Sequence, residues 1–375
     1  YFIMIFLLLI ILIASFSPSP LSSNKENAIP PAQAATEPTD SPTNDGYWTD
    51  AGNYSSSFSG SGIESNPYKI STQKQLAGLA YLVNNGNETY QSAYYQQTAD
   101  LDMSDYWWVP IGTSASRFTG FYDGGNHTIS GLFTESSSNN YQGLFGYAEG
   151  RGWDEPNEIS NLSIIDSVIQ GGTYVGTFGG YFHYMNLTNC YSSASVSGNG
   201  TVGGLVGNYA SLLMTNCHNS GDVTGGSNTG GLVGDFGGTP FVISYSYNTG
   251  NVSGGSNVGG IAGINSGDSY VEYCFNTGSI SGRGNVGGIV GSNGSNYSCV
   301  RYCYNTGDVT GTLVGNYSNS PAGGIIGKVN SRTYVYNCYN KGNVTGLGVI
   351  DVGGVAGENN AQVTNCFNVG KVSGE

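Results

Sequence analysis

The stretch SNVGGIAGINSG, residues 256 to 267, combines glycines with small and aliphatic residues and carries no charged side chain. A glycine-rich loop of this kind cradles a phosphate group when a helix follows it and a lysine is close, and it occurs once per domain. Here the pattern Gly-Gly-aliphatic-aliphatic-Gly recurs six times between strand-like runs, starting at residues 203, 230, 259, 287, 323 and 353. The repetition indicates an architectural role and argues against a phosphate site.

Other residue types recur with the same period. The first column holds small, aliphatic or thiol side chains, spaced mostly 27 to 30 residues apart: Leu132, Leu162, Cys190, Cys217, Ser246, Cys274, Cys303, Cys338 and Cys366. The next residue forms what we call the aromatic column: Tyr191, His218, Tyr247, Phe275, Tyr304, Tyr339 and Phe367. One position later comes the asparagine column, which begins with Ser192: Asn219, Asn248, Asn276, Asn305, Asn340 and Asn368.

A period of about 28 residues, with short strands and glycine turns, is typical of one coil of a β-solenoid. A single coil buries too few apolar side chains to fold alone, so it needs a neighbour on each side. Because parallel crossovers are almost always right-handed, we predict an all-β fold, a right-handed parallel β-helix. Residues 72–84 carry the one convincing helical pattern, with Thr72 and Gln75 as a capping box, and are predicted to cap the N-terminal end.

The N-terminal region differs in texture from the repeat. Residues 2–16 form an apolar run too short for a spanning helix, and AQAA at 32–35 suggests signal-peptidase cleavage between Ala34 and Ala35. We expect a truncated secretory signal at 1–34, with an uncleaved membrane anchor as the alternative. A Pro/Ser/Thr linker at 35–46, a cap with the first coils at 47–131 and a C-terminally truncated repeat region at 132–375 complete the predicted organisation.

Composition excludes some partners. The 375 residues include only 11 Lys and Arg against 25 Asp and Glu, a net charge of −14. Nucleic acids require clustered cations for their phosphates, so a nucleic-acid partner is not expected. The acidic, Asn/Ser/Thr-rich surface is typical of a protein that stays soluble outside the cell, and no membrane insertion is expected after signal removal.

No catalytic, cofactor-binding or metal-ligating residue is assigned, and no cofactor is expected. Six of the seven cysteines lie in a column shared with Leu and Ser, which favours free buried thiols over disulfides; Cys299 lies outside it. Asp100, Asp102 and Asp105 offer calcium ligands, but Leu101 and Met103 between them should point inward and leave a solvated acidic face. A further column holds a carboxylate in two coils and Ser, Asn or Lys in the others: Ser195, Asp222, Asn251, Ser279, Asp308, Asn343 and Lys371. Such variation from coil to coil is not typical of an active site.

Hydroxyl side chains form a further column, one per coil, where flat ice-binding faces usually carry two: Ser197, Thr224, Ser253, Ser281, Thr310, Thr345 and Ser373. The aromatic column lies next to the cysteine column and should face the other way. It is therefore the best candidate binding surface in the sequence, either as an exposed strip for sugars or as part of the core.

The ordered string of motifs over residues 58 to 375 resembles the GLUG-type repeat of bacterial surface proteins. The repeats carry Gly-Leu-aliphatic-Gly cores, and the preceding segments GSGIESNPYKISTQKQLAGLAYLVN (60–84), TADLDMSDYWWVPIG (98–112), FTGFYDGGNHTISGL (118–132) and YQGLFGY (141–147) resemble their leader. The resemblance implies a secreted or wall-attached protein with an adhesin-like role. Some similar modules adjoin an IgA-specific metallopeptidase domain, but its His-Glu-x-x-His motif is absent from these 375 residues.

Taken together, the sequence predicts a secreted or cell-wall-associated β-solenoid that acts in adhesion or display, without catalysis in this span. The expected partners are host or cell-surface glycans or matrix proteins. A polysaccharide-acting β-helix enzyme and a passive stalk for a missing C-terminal domain are the alternatives.

Overall fold

The computed structural model describes residues 41–135, 137–211, 213–294, 297–313, 320–348 and 351–374, without the side chains of 239 and 240. The predicted signal peptide, its Ala34/Ala35 cleavage site and most of the predicted linker lie outside these residues. Within the rest of that linker, the backbone amides of Thr43 and Asn44 donate to the carbonyls of Ser104 and Asp105, at 2.9 and 2.8 Å. The domain boundaries as such stay a prediction.

The chain winds into a parallel β-solenoid of about ten turns with coils of roughly 28 residues, which confirms the predicted fold class. The strands align from coil to coil in three sheets. The largest, with 24 strands, contains Tyr68–Ile70, Tyr94–Gln97, Leu101–Asp102, Phe121–Ser130, Phe145–Glu149, Asn157–Ile165, Gly179–His183, Met185–Ser192, Val206–Ala210, Leu213–Thr215, His218–Asn219, Val233–Ser244, Tyr247–Asn248, Ala262–Glu272, Phe275–Asn276, Val290–Asn293, Cys299–Arg301, Tyr304–Asn305, Ile326–Val329, Tyr334–Tyr336, Tyr339–Asn340, Ala356–Asn359, Gln362–Thr364 and Phe367–Asn368.

Two smaller sheets complete the coils of the described residues. The eight-stranded sheet bears the hydroxyl column: Val168–Gly171, Ser195–Gly198, Val223–Thr224, Val252–Gly254, Ile280–Gly282, Val309–Thr312, Val344–Leu347 and Val372–Gly374. The six-stranded sheet leads into the glycine motifs: Val202–Gly203, Asn228–Gly230, Asn257–Gly259, Asn285–Gly287, Ala322–Gly323 and Val352–Gly353.

Two helices precede the main stack of coils. Helix α1 spans Gln73–Asn84 and buries Leu76, Leu79 and Val83, and a shorter helix α2 spans Glu88–Gln91. The sequence predicted only the first. Neither helix of the described part has the length and apolar character needed to cross a bilayer.

The predicted capping box at the start of α1 forms only in part. The Thr72 hydroxyl accepts a hydrogen bond from the backbone amide of Gln75 at 3.3 Å, as expected of an N-cap. The side-chain oxygen of Gln75, however, accepts from the backbone amide of Ser71 at 2.9 Å and not from that of Thr72. The Gln75 side chain therefore satisfies the backbone amide of the residue before the N-cap.

Aliphatic side chains of the glycine motifs pack in the core of the solenoid. Residues 256–267 therefore have a structural role. In that copy Ile261 and Ala262 are both fully buried. A Cβ atom on Gly260 would lie 2.4 Å from Cγ of Asn276 and 2.3 Å from the Gly288 carbonyl oxygen. Glycine is required there because the asparagine amide and the next coil occupy the space of a side chain.

The asparagine column forms a continuous ladder of amide side chains, buried from Asn219 to Asn340. Each amide nitrogen donates to the carbonyl two residues later and to the amide oxygen of the next coil; for Asn248 these partners are Gly250 at 2.7 Å and Asn276 at 2.8 Å. The same pair of bonds recurs from Asn219 to Asn340. The amides thus satisfy the turn backbone and tie each coil to the next.

The columns are in register, with one exception. Tyr191 pairs with His218, and Leu162 pairs with Cys190, as the alignment predicts. Leu132 does not extend this column, because the residue opposite Leu162 is His127. A shift of register between Asp123 and His127 displaces the alignment of the first coils. The assignment of Leu132 is therefore wrong.

Candidate functional site

The aromatic column forms an unbroken stack on the outer face of the solenoid. Its rings are half-buried up to Tyr339, while the cysteine column beside it points inward, as predicted. Consecutive ring centroids lie 4.4 to 5.3 Å apart, and the planes differ by at most 30°. Neighbouring rings therefore cover one another's faces, and the column presents mainly ring edges to solvent. A sugar that stacks on a ring face finds little open surface here.

A second column, which the sequence did not reveal, lies one residue before the cysteine column. Its members all have a positive φ between 49 and 56°, in the left-handed region: Asn189, Asn216, Tyr245, Tyr273, Tyr302, Asn337 and Asn365. Asparagine tolerates this conformation well, and a bulky side chain there is unusual. Where asparagines are adjacent, their amides bond to each other, as Asn216 does to Asn189 at 2.7 Å.

Three tyrosines interrupt this column, and we call them the tyrosine ladder: Tyr245, Tyr273 and Tyr302. They are 62%, 44% and 42% exposed. Their rings are nearly parallel, with centroids 5.1 and 4.9 Å apart. The sequence does show tyrosine at a position where the flanking coils carry asparagine. Only the backbone dihedrals show that this position is left-handed, and therefore that a tyrosine there is unusual.

A cleft of about 410 Å³ lies beside the ladder. Tyr302 connects the two, since its ring meets that of Tyr336 edge to face at 5.8 Å. We call this feature the tyrosine cleft, and its lining comprises Asp268, Tyr270, Tyr297, Cys299, Arg301, Tyr334 and Tyr336.

The cleft arises from one small residue between two large ones. Tyr270, Cys299 and Tyr334 occupy equivalent positions in three successive coils. Cys299 is only 3% exposed, and burial raises the pKa of its thiol to about 11. The small Cys299 side chain forms the floor of the cleft between the two tyrosines, at a strand position four residues before the column cysteine Cys303.

Arg301 organises the polar side of the cleft. Its guanidinium forms an ion pair with Glu272 at 2.5 Å, donates to the Tyr336 hydroxyl at 2.9 Å, and lies over the Tyr270 ring at 5.1 Å. Partial burial acts to lower the pKa of Arg301, but the hydrogen bond to Tyr336 and the charge of Glu272 outweigh it and raise that pKa. The cation is thus fixed and charge-compensated.

Two exposed rings of the cleft differ from the other clustered aromatics. Tyr297 and Tyr334 are 54% and 36% exposed, and neither stacks on another ring among the described residues. In a further cluster, by contrast, Tyr147 stacks on Tyr181 at 4.7 Å and Arg117 lies 5.2 Å over the same Tyr147 ring. The tyrosine cleft thus holds two exposed rings that no other ring of the described residues covers.

Two of the three acidic residues noted in the sequence, Asp100 and Asp102, accept hydrogen bonds from backbone amides. Leu101 and Met103 are buried and Asp100, Asp102 and Asp105 face outward, as predicted. Asp100 accepts from the backbone amide of Thr128 at 2.8 Å. No group of three or more potential ligands among His, Cys, Asp and Glu occurs in the described part of the chain.

The drifting column of carboxylates and amides also has a structural role. The side chains of four members accept from a backbone amide of the next coil: Asp222 from Asn251 at 2.9 Å, Asn251 from Ser279 at 3.2 Å, Asp308 from Asn343 at 2.8 Å, and Asn343 from Lys371 at 3.1 Å. These turns need a short side chain whose oxygen accepts a hydrogen bond from the next coil. Both Asp and Asn provide one, so the column tolerates either residue.

The cysteine column is packed as a ladder of thiols. All seven cysteines are free, and six of them are buried, with Cys366 half-buried. Each column thiol donates to the carbonyl two residues earlier, as Cys303 does to Arg301 at 3.2 Å. Burial raises the pKa of the Cys190 and Cys303 thiols well above their usual value, so these groups are poor nucleophiles.

Comparisons with known proteins show local sequence similarity. No family model matches the chain. One relative, named "Putative Gly-rich membrane protein", from Evansella cellulosilytica, is 35% identical over 116 residues, covering 29% of this chain and 12% of that protein. Halomucin of Haloquadratum walsbyi is 29% identical over 154 residues, covering 38% of this chain and 2% of that protein. The chain thus corresponds to a small part of either relative.

One solved structure also aligns with most of the chain. It is described as a "putative immunoglobulin A1 protease" from Bacteroides ovatus, and the alignment covers 84% of this chain and 86% of that one. The two are 18% identical, and the TM-score is 0.41.

Proposed function

We propose that this chain is an adhesin-like interaction module of the cell envelope, a β-solenoid that displays a binding surface and performs no catalysis in this span. The resemblance to GLUG-type surface repeats supports this function. A relative named as a membrane protein supports the envelope location. The partners expected are host or cell-surface glycans or matrix proteins.

The tyrosine ladder is the observation that carries the proposal. A left-handed conformation costs a non-glycine residue about 1–2 kcal/mol, which asparagine offsets with local hydrogen bonds. Tyr245, Tyr273 and Tyr302 accept this conformation while remaining 62%, 44% and 42% exposed. Stacking contributes about 0.5–1.5 kcal/mol per pair, so the two stacked pairs offset only part of the cost of three left-handed tyrosines. Exposed tyrosines are enriched at binding surfaces, because they offer rigid apolar area and a polar tip.

The flanking coils supply the variant that tests the ladder. Replacing all three tyrosines with asparagine, as Tyr245→Asn, Tyr273→Asn and Tyr302→Asn, installs the residue found at this position in the neighbouring coils. We expect the thermal unfolding midpoint to stay within a few degrees and binding to immobilised matrix proteins to fall at least about tenfold.

A control in the aromatic column tests whether the loss of three tyrosine hydroxyls elsewhere on the solenoid is enough to reduce binding. Changing Tyr191, Tyr304 and Tyr339 to phenylalanine removes three hydroxyls but keeps the stack, and binding should persist. Full binding by the triple asparagine variant would contradict the ladder's role. A wild-type protein that binds none of the surfaces would favour a passive stalk.

The alternative of a polysaccharide-acting enzyme makes a different prediction. Glycoside hydrolysis uses a pair of carboxyl groups on either side of the scissile bond. Asp268 is the one carboxylate among the described residues that line the tyrosine cleft, and Glu272, four residues later in the same strand, is held by Arg301. Release of new chain ends from a polysaccharide, abolished by Asp268→Asn, would overturn the binding proposal.

A further inference from the structure

We propose that the tyrosine cleft is a subsite for an uncharged oligosaccharide, bound with its pyranose rings against Tyr297 and Tyr334. The inference rests on the proposed function as an interaction module, and it names the ligand class that the cleft would take.

The open ring faces supply the apolar part of such a site. One face of a pyranose ring presents mainly C–H groups, which lose water favourably against an aromatic ring and meet the negative face of its π-system. Tyr297 and Tyr334 are the exposed rings of the cleft without a stacking partner among the described residues. The tyrosine ladder cannot serve in this way, because its rings cover one another.

The polar groups are placed to bind hydroxyls. The Tyr336 hydroxyl accepts from Arg301 and also interacts with the Cys299 thiol. The hydroxyls of Tyr297 and Tyr334 have no hydrogen-bond partner among the described residues and can donate to a ligand oxygen. Asp268 accepts only a long bond, 3.3 Å, from the Tyr270 hydroxyl, and retains further acceptor capacity. A donor and an acceptor on the two sides of an apolar floor match the alternating hydroxyls of a sugar.

Charge selects a neutral sugar. Glu272 compensates Arg301, so Asp268 gives the cleft a net charge of about −1, on a chain whose net charge is −14. A uronic acid or sialic acid carboxylate would be repelled and would find no free cation among the lining residues. A neutral glycan carries no charge, so the negative charge of the cleft does not repel it.

The coil spacing gives the length of the site. Tyr270 and Tyr334 stand two coils apart, with Cys299 between them. Adjacent parallel strands are about 4.8 Å apart, so the backbones of the two tyrosines are separated by about 9.6 Å along the solenoid. Once the thickness of the two side chains is subtracted, this spacing leaves room for one pyranose ring of a longer chain.

Residue 299 offers a matched pair of variants. Cys299→Tyr places a ring between two rings at equivalent positions and fills the cleft without changing its charge. Cys299→Ser removes the thiol but leaves the cleft open. Tyr334→Ala, which truncates an exposed side chain, provides a second loss of function that does not touch the core.

The test is calorimetric titration of the full 375-residue chain with hexasaccharides of β-1,4-linked glucose, xylose and mannose, and with hexagalacturonate. At least one neutral hexasaccharide should bind the wild-type and Cys299→Ser proteins. Cys299→Tyr and Tyr334→Ala should weaken that binding at least about tenfold, with unchanged circular dichroism.

Several outcomes would overturn the inference: no binding of any neutral hexasaccharide, tighter binding of hexagalacturonate, or unchanged binding by Cys299→Tyr and Tyr334→Ala. These failures are distinguishable from failure of the proposed function. Adhesion that depends on the tyrosine ladder but not on Cys299→Tyr would retain the interaction module and reject the cleft as a sugar subsite.

Discussion

Replacing Asn248 with alanine tests whether the buried amide ladder holds the coils together. The Asn248 side chain donates to the Gly250 carbonyl at 2.7 Å and to Asn276 at 2.8 Å, and accepts from Asn219 at 3.0 Å. The side chain is fully buried, so water cannot reach the groups that Asn248→Ala would leave behind.

The expected loss follows from these three contacts. A hydrogen bond contributes about 0.5–1.5 kcal/mol net, and a partner left unsatisfied in the interior adds a penalty of about 1–3 kcal/mol. Asn219 keeps its bond to Gly221 at 2.7 Å, whereas the oxygen of Asn276 loses the amide donor from the preceding coil. We therefore expect Asn248→Ala to lower the free energy of unfolding by about 3–4 kcal/mol, measured by urea-induced unfolding.

A second amide ladder on the same solenoid provides the control. Asn257 donates to Asn228 at 2.8 Å and accepts from Asn285 at 2.6 Å, but these side chains are only half-buried. Water can replace the lost partners, so Asn257→Ala should cost about 1 kcal/mol or less. Equal losses for the two variants, or a loss below about 1 kcal/mol for Asn248→Ala, would refute the reasoning that burial sets the cost.

Two further predictions concern stability. Burial lowers the pKa of His218 from 6.5 to about 4. Between these two pH values the unfolded chain binds a proton at His218 that the folded chain does not, so the free energy of unfolding should fall as the pH drops from about 6.5 towards about 4. The melting temperature of His218→Tyr, which restores a tyrosine to the stack, should fall less between pH 7.5 and 4.5; equal slopes would contradict this cause. Gly260→Ala should lower the free energy of unfolding by about 1–3 kcal/mol or more, because its Cβ would meet Asn276 at 2.4 Å. Gly374→Ala, whose Cβ would lie 3.6 Å from its nearest neighbour, should leave the urea midpoint unchanged.

Periodicity made most of the fold predictable. Each coil repeats the same inward and outward alternation, so the columns of Cys, Asn and aliphatic residues could be assigned from their spacing alone. The prediction was wrong at Leu132, where the register shifts between Asp123 and His127. Such a shift comes from local backbone geometry and leaves no periodic mark in the side chains.

The binding surface was harder to predict. The sequence favoured the aromatic column, but stacking at 4.4 to 5.3 Å closes its ring faces. The tyrosine cleft was missed because its residues come from three coils, and because the opening depends on Cys299 lying between Tyr270 and Tyr334. Their spacing in the sequence, 29 and 35 residues, does not stand out from the repeat.

The sequence alone determined that this protein is a β-solenoid, since coils that cannot fold separately must repeat the residues that face their neighbours. It also determined that Gly259-Gly260-Ile261-Ala262-Gly263 belongs to that architecture. Only the tertiary structure decided which aromatic rings are open to solvent, because ring exposure depends on stacking between coils and on left-handed backbone positions. Residues far apart in the chain meet at the cleft because the strands of successive coils are aligned in register. This register is set only when the coils stack in the folded protein.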